Sequence, residues 1–93
     1  MKFVAWDPEK NERLKIERGI SFENVLDAIV DERVIGRFPH PNQARYPRQH
    51  VYVVVFDEYV YVVPFVEDEE KIFLKTIYPS RKYTKEYIEK GVL

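Results

Sequence analysis

The chain has 93 residues and a mass of 11.2 kDa, enough for one compact domain, and its 45% hydrophobic content can fill a single core. It has no cysteine and two histidines, which excludes a disulfide framework and thiol catalysis and leaves a zinc cage dependent on carboxylates. The net charge of −1 hides a segregation. Arg33 to His50 holds four arginines, both histidines and no acid, and Lys71 to Lys85 holds five basic residues and no acid. The remaining chain sets six basic residues against all 16 acids. If the two windows meet in space, they form a positive patch suited to a phosphate-bearing partner; the alternative is ordinary solvated surface.

In chain order, "KFVAW" (Lys2 to Trp6) reads as a short strand, closed by Asp7 as a helix N-cap and Pro8 as the first helical residue. A largely charged first helix runs to Arg18, Gly19 supplies a left-handed C-cap, and Ser21 caps a second helix. There Phe22, Val25, Leu26, Ile29 and Val30 form an apolar stripe, with Ile20 placed to staple against Val25. "RVIGRF" is the next strand, and "PHPNQARYPRQ" is a loop at a length where loops are functional or disordered. "HVYVVVF", "YVYVVPFV" and "KIFLKTIY" follow as an antiparallel meander, with Pro64 marking an irregularity or an edge. A last helix spans Thr84 to Lys90. The expected fold class is α+β: a short N-terminal strand, two helices, a four-strand run and a C-terminal helix, with helices packed on one face of a small antiparallel sheet.

A two-residue turn at Asp57 and Glu58 sets Phe56 opposite Tyr59 and Tyr52 opposite Val63. One hairpin face then carries His50, Tyr52, Val54, Phe56, Tyr59, Tyr61, Val63 and Phe65, and the other carries valines. The valine face is expected to lie under the helices. The tyrosine face is expected to be half open, either as a base-stacking surface that uses Tyr52 and Tyr61 or as ordinary cross-strand aromatic pairing. Whether Lys75 joins that face depends on the length of the next turn.

No Gly-rich phosphate loop, HExxH, EF-hand or nucleophile elbow is present, and the acids from Glu67 to Glu70 read as a solvated hairpin tip. Arginine, lysine, tyrosine and histidine suffice for one reaction, RNA cleavage by attack of its own 2′-hydroxyl. In that reaction the protein aligns the nucleophile and stabilises charge on the phosphate. On charge alone, Arg45, Tyr46, Arg48 and His50 are candidates. His50 is the one imidazole beside the aromatic strand, with a structural histidine as the alternative.

The string "WDPEKNERLKIERGISFENVLDAIVDE" resembles the opening of BrnT-type toxins, small ribonucleases of the RelE superfamily, through Trp6, Asp7, Pro8, Lys10, Gly19, Ser21, Phe22 and Glu23. "PSRKYTKEY" is similar to the family's closing segment at Arg81, Lys82 and Thr84. Arg18 stands where many members have histidine, and Pro79 with Ser80 replaces Ser-Ala. An arginine stays protonated and cannot act as a base. The resemblance implies a cytoplasmic, metal-independent and cofactor-free endoribonuclease that stops translation, on the ribosome or off it. It also implies inhibition by a cognate DNA-binding antitoxin of the ribbon-helix-helix type. It makes Arg81 and Lys82 the first candidates for phosphate or transition-state stabilisation, followed by Lys10 and by Trp6, which equally suits a core anchor. The rival from another class is a non-catalytic nucleic-acid-binding or regulatory module on the same fold. A third reading is an inactive toxin relic. The charged start "MKFVAWDPEKNER" and the lack of a long apolar run give no secretory signal and no membrane span.

Overall fold

The computed structural model describes residues 2–91. Strand β1 (Phe3–Trp6) leads into helices α1 (Pro8–Arg18) and α2 (Phe22–Val30). Then come β2 (Val34–Pro39), β3 (His50–Phe56), β4 (Tyr59–Glu67), β5 (Lys71–Leu74), the two-residue β6 (Tyr78–Pro79) and helix α3 (Arg81–Glu89). The fold is α+β. Its sheet runs β1-β5-β4-β3-β2, with β6 also on β4, and every pairing is antiparallel except β1 with β5. Among the described residues, no helix is long and apolar enough to cross a membrane.

The helix boundaries follow from local chemistry. Asp7 accepts from the Glu9 amide, Pro8 opens α1, and Gly19 closes it in the left-handed region with φ 67°. The Ser21 hydroxyl accepts from the Asn24 amide at 3.1 Å, and Asn24 Oδ1 accepts from the Ser21 amide at 2.9 Å. This is a capping box with asparagine in the returning role. Asn11 on α1 is buried and locks the two helices together. Its Nδ2 donates to Glu23 Oε1 at 2.5 Å, and its Oδ1 accepts from the Phe22 amide at 2.7 Å. The "SFE" block thus has a structural basis, a helix corner in which each residue meets a specific partner.

Asn11→Ala leaves the Phe22 amide unsatisfied and should cost about 1–3 kcal/mol in a urea titration. The same bond, more than the nearby Lys15 charge, holds the Glu23 carboxyl below the usual carboxylate range. A lowered folded pKa contributes stability that is present above the unfolded value and lost as pH falls through the folded one. The wild type should therefore lose stability below about pH 4.5, and Asn11→Ala should flatten that acid limb.

The β3–β4 hairpin has the expected register, with Phe56 opposite Tyr59, Val54 opposite Tyr61 and Tyr52 opposite Val63. Asp57 and Glu58 take φ of 51° and 61°, the left-handed pair that suits a tight turn to the strand twist. The face assignment is reversed. Tyr52, Val54, Val63 and Phe65 form one core with Leu14, Ile20, Phe22, Val25 and Ala28, so α1 and α2 lie over the tyrosine face. Aromatic rings bury more apolar area than valines, so covering them stabilises more. The valine face is closed as well. Val51, Val53, Val60 and Val62 are buried outside that core, and Thr84 of α3 accepts from the Val60 amide at 2.9 Å.

"KIFLKTIY" does not form one strand. Pro64 accepts from the Lys75 amide at 2.8 Å through its carbonyl but has no N–H to return toward that neighbour, so the ladder lapses. Pairing resumes at Val62 with Tyr78, where three steps along β4 match four along the partner. The break keeps Ile77 in the core, and the Arg18 guanidinium donates to the Ile77 carbonyl across it. In this chain Arg18 thus serves as a tie between α1 and the sheet edge. The acidic turn is tied by Asp68, whose Oδ1 accepts from the Glu70 and Lys71 amides.

Candidate functional site

The proline-rich loop is ordered by its own polar groups. The His40 amide donates to the Gln49 carbonyl at 3.0 Å, extending the β2–β3 ladder. Inside that closure, the Asn42 carbonyl accepts from the Tyr46 amide at 2.9 Å, and Asn42 Oδ1 accepts from the Arg45 amide at 3.1 Å. The His40 and Tyr46 rings lie 4.5 Å apart, and the Arg45 guanidinium sits 5.5 Å over the Tyr46 ring.

This loop meets α1 and the β5–β6 break in an open groove of about 330 Å³. Lys10 comes from α1, His40, Tyr46 and Gln49 from the loop, and Lys75, Thr76 and Tyr78 from the break. A second hollow of about 200 Å³ shares Lys10 and Thr76 and adds Arg13, Glu17 and Arg18, so the cationic wall continues along α1. Among the described residues, Lys10, Arg13 and Lys75 form no salt bridge. Their charge is therefore available to a ligand. His40 Nδ1 accepts from the Asn42 amide at 3.0 Å, so the neutral ring carries its proton on Nε2 and is a donor there. Burial raises the Tyr78 phenol pKa, reinforced by Tyr83, so its hydroxyl stays protonated and can donate. The groove thus offers ammonium groups, an imidazole N–H, hydroxyls and two tyrosines. It fits an anionic ligand that also carries planar rings.

Of the residues singled out by sequence, Lys10, Tyr46 and Lys75 come together here, and Arg45 flanks them on Tyr46. The two basic windows do meet, through this loop and this break. Arg33 and Arg37 do not contribute, since they pair with Asp31 and Glu67. Arg48 lines a different hollow with Glu67, Asp68 and Lys71. His50 is half-buried with its ring 6.0 Å from Phe65, and it does not line the groove. Arg81 and Lys82 are exposed on the first turn of α3, outside the groove lining.

Tyr52 requires a correction. It is 7% exposed and stacked on Phe65 at 4.1 Å under the helices, so no base can reach its ring. Tyr61 is half-buried, edge-on to Phe56 and Tyr59 and packed against the core. Trp6 is a core anchor, stacked on Phe22 at 5.8 Å. Sequence reasoning missed His40, Gln49, Thr76, Tyr78 and Arg13. The available signal was Pro64, whose missing donor opens the neighbouring strand and turns Thr76 and Tyr78 toward the loop.

Among the described residues, no three His, Asp or Glu side chains converge as a metal ion would need. Comparison of the chain with family models, with curated proteins and with solved structures finds no match.

Proposed function

We propose that the chain is an RNA-cleaving toxin of the BrnT/RelE type, acting in the cytoplasm without a metal and held in check by a ribbon-helix-helix antitoxin. The observation that carries this reading is the convergence of unpaired Lys10 and Lys75 with His40, Tyr46 and Tyr78 in one groove, drawn from three separate segments. In the proposed reaction the RNA 2′-oxygen bonds to phosphorus, the 5′-oxygen leaves, and a 2′,3′-cyclic phosphate and a 5′-hydroxyl result. Lys10 and Lys75 stabilise the extra charge on the phosphoryl oxygens, and His40 Nε2–H donates to them. Tyr46 and Tyr78 hold splayed bases and so fix the in-line geometry. Arg81 and Lys82 follow Tyr78 closely in the chain and are assigned to flanking phosphates.

One observation favours the non-catalytic reading. The His40 Nδ1 lone pair is already taken by the Asn42 amide, and His50 lies outside the groove, so no imidazole there is free to accept the 2′-proton. The two readings separate when the purified protein is incubated with end-labelled single-stranded RNA and induced in a bacterial host. The toxin reading expects growth arrest and fragments ending in cyclic phosphate, both lost in His40→Ala/Tyr46→Ala with the melting curve unchanged. Binding without fragments and without arrest would establish the non-catalytic reading, and failure to bind RNA would remove both.

A further inference from the structure

The roomiest hollow on the surface shares no residue with the cationic groove. It has a volume of about 490 Å³ and lies between β1 and α2, walled by Phe3, Val4, Leu26, Ile29, Val30 and Ile72. Phe3 is 61% exposed and Val30 66% exposed, a large apolar opening for a chain of this size. Beside it, β1 is the last strand of the sheet, and its outer edge has no partner strand. An open edge next to an apolar cleft is the geometry in which an added strand gains backbone hydrogen bonds and a side-chain pocket together.

Charge selects the occupant. Asp27 stands exposed on α2 between the lining residues Leu26 and Ile29, and Glu32 lies just past the helix end. At the other end, the Glu70 carbonyl accepts from the Phe3 amide, which brings the Asp68–Glu70 turn alongside β1. Lys2 is the one cation in the lining, and Glu67 already neutralises it at 3.0 Å. The surround is therefore acidic. A second copy docking by twofold symmetry would set these carboxylates against their own images.

We propose that β1 and this hollow form a docking surface for a different chain, which adds an extended segment of alternating apolar and basic residues as a strand along β1. Its apolar side chains enter the hollow against Leu26, Ile29 and Val30, and its lysines or arginines meet Asp27, Glu32 and the Asp68–Glu70 turn. The surface is independent of the cationic groove and of the ribonuclease reading.

The test is fluorescence anisotropy on the full chain with four labelled octapeptides. The first alternates lysine with valine and leucine, the second replaces lysine by glutamate, the third replaces the apolar residues by serine, and the fourth is the first with alternate amides N-methylated. The first should bind, and the other three should bind at least tenfold more weakly. Val30→Lys removes an exposed apolar group and places a cation where the α2 dipole tolerates one, so the fold should persist by melting curve. This variant should weaken the first peptide at least tenfold. Equal binding of the lysine–valine and lysine–serine peptides would overturn the proposal, as would binding unchanged by N-methylation or by Val30→Lys. A wild-type dimer in sedimentation that Val30→Lys dissociates would also overturn it, because the occupant would then be a second copy.

Discussion

Phe65→Ala is expected to lower the unfolding free energy by about 3–5 kcal/mol, the cost of truncating a fully buried aromatic to alanine. Phe65 has no exposed surface, sits on β4 between β3 and β5, and stacks on Tyr52 at 4.1 Å. It also carries the Arg37 guanidinium 5.2 Å above its ring and the His50 ring 6.0 Å away. Truncation therefore leaves a cavity under α1 and α2 and removes the surface on which two polar groups rest. Total stability for a domain of this size is about 5–15 kcal/mol, so the variant should be close to unfolded at 37 °C. Each kcal/mol moves the melting temperature by about 4–8 °C, which places the expected drop above about 12 °C. Urea and thermal titrations followed by circular dichroism read both. A loss below about 1 kcal/mol would mean that β4 does not pass through the centre of the core.

Phe65 also illustrates what the sequence can and cannot carry. Its pairing with His50 was legible, because two consecutive short apolar runs with a two-residue turn admit one register. The face it points to was not. Alternation identifies the two faces of a strand but cannot rank them when both are apolar, and here Val51, Val53, Val60 and Val62 are as deeply buried as Tyr52 and Phe65. Helix boundaries were legible because Asp7, Pro8, Gly19 and Ser21 act within a few residues of themselves. The Asn11 clamp was not, since it joins residues through the packing of two helices. The groove was half legible for the same reason. Charge counting found the two windows that meet, but it chose His50 over His40. An alternating strand looks more ordered in sequence than a proline-rich loop, and the hydrogen bonds that order the loop are local side-chain and backbone contacts with no periodic signature.

On the proposed reading, Lys10→Ala/Lys75→Ala should weaken single-stranded RNA binding by roughly 100-fold without changing the melting curve. A hydrogen bond to a charged group is worth about 1.5 kcal/mol at its low end, so two lost phosphate contacts are worth about 3 kcal/mol, and each 1.4 kcal/mol is tenfold. Neither lysine forms a salt bridge among the described residues, and Lys75 is exposed, so no folded-state partner is left stranded. The salt dependence provides the sharper measurement. Each neutralised phosphate on a single strand contributes about 0.7 to the slope of log affinity against log salt, so the double variant should flatten that slope by about 1.4. Arg45→Ala/Arg48→Ala serves as the comparison. It removes the same formal charge, but Arg48 lines a hollow with Glu67 and Asp68 on another part of the surface. If net charge alone drove binding, the two pairs would flatten the slope equally. If the groove is the site, the lysine pair should dominate, because its charges converge on one phosphate path while Arg48 stands outside it.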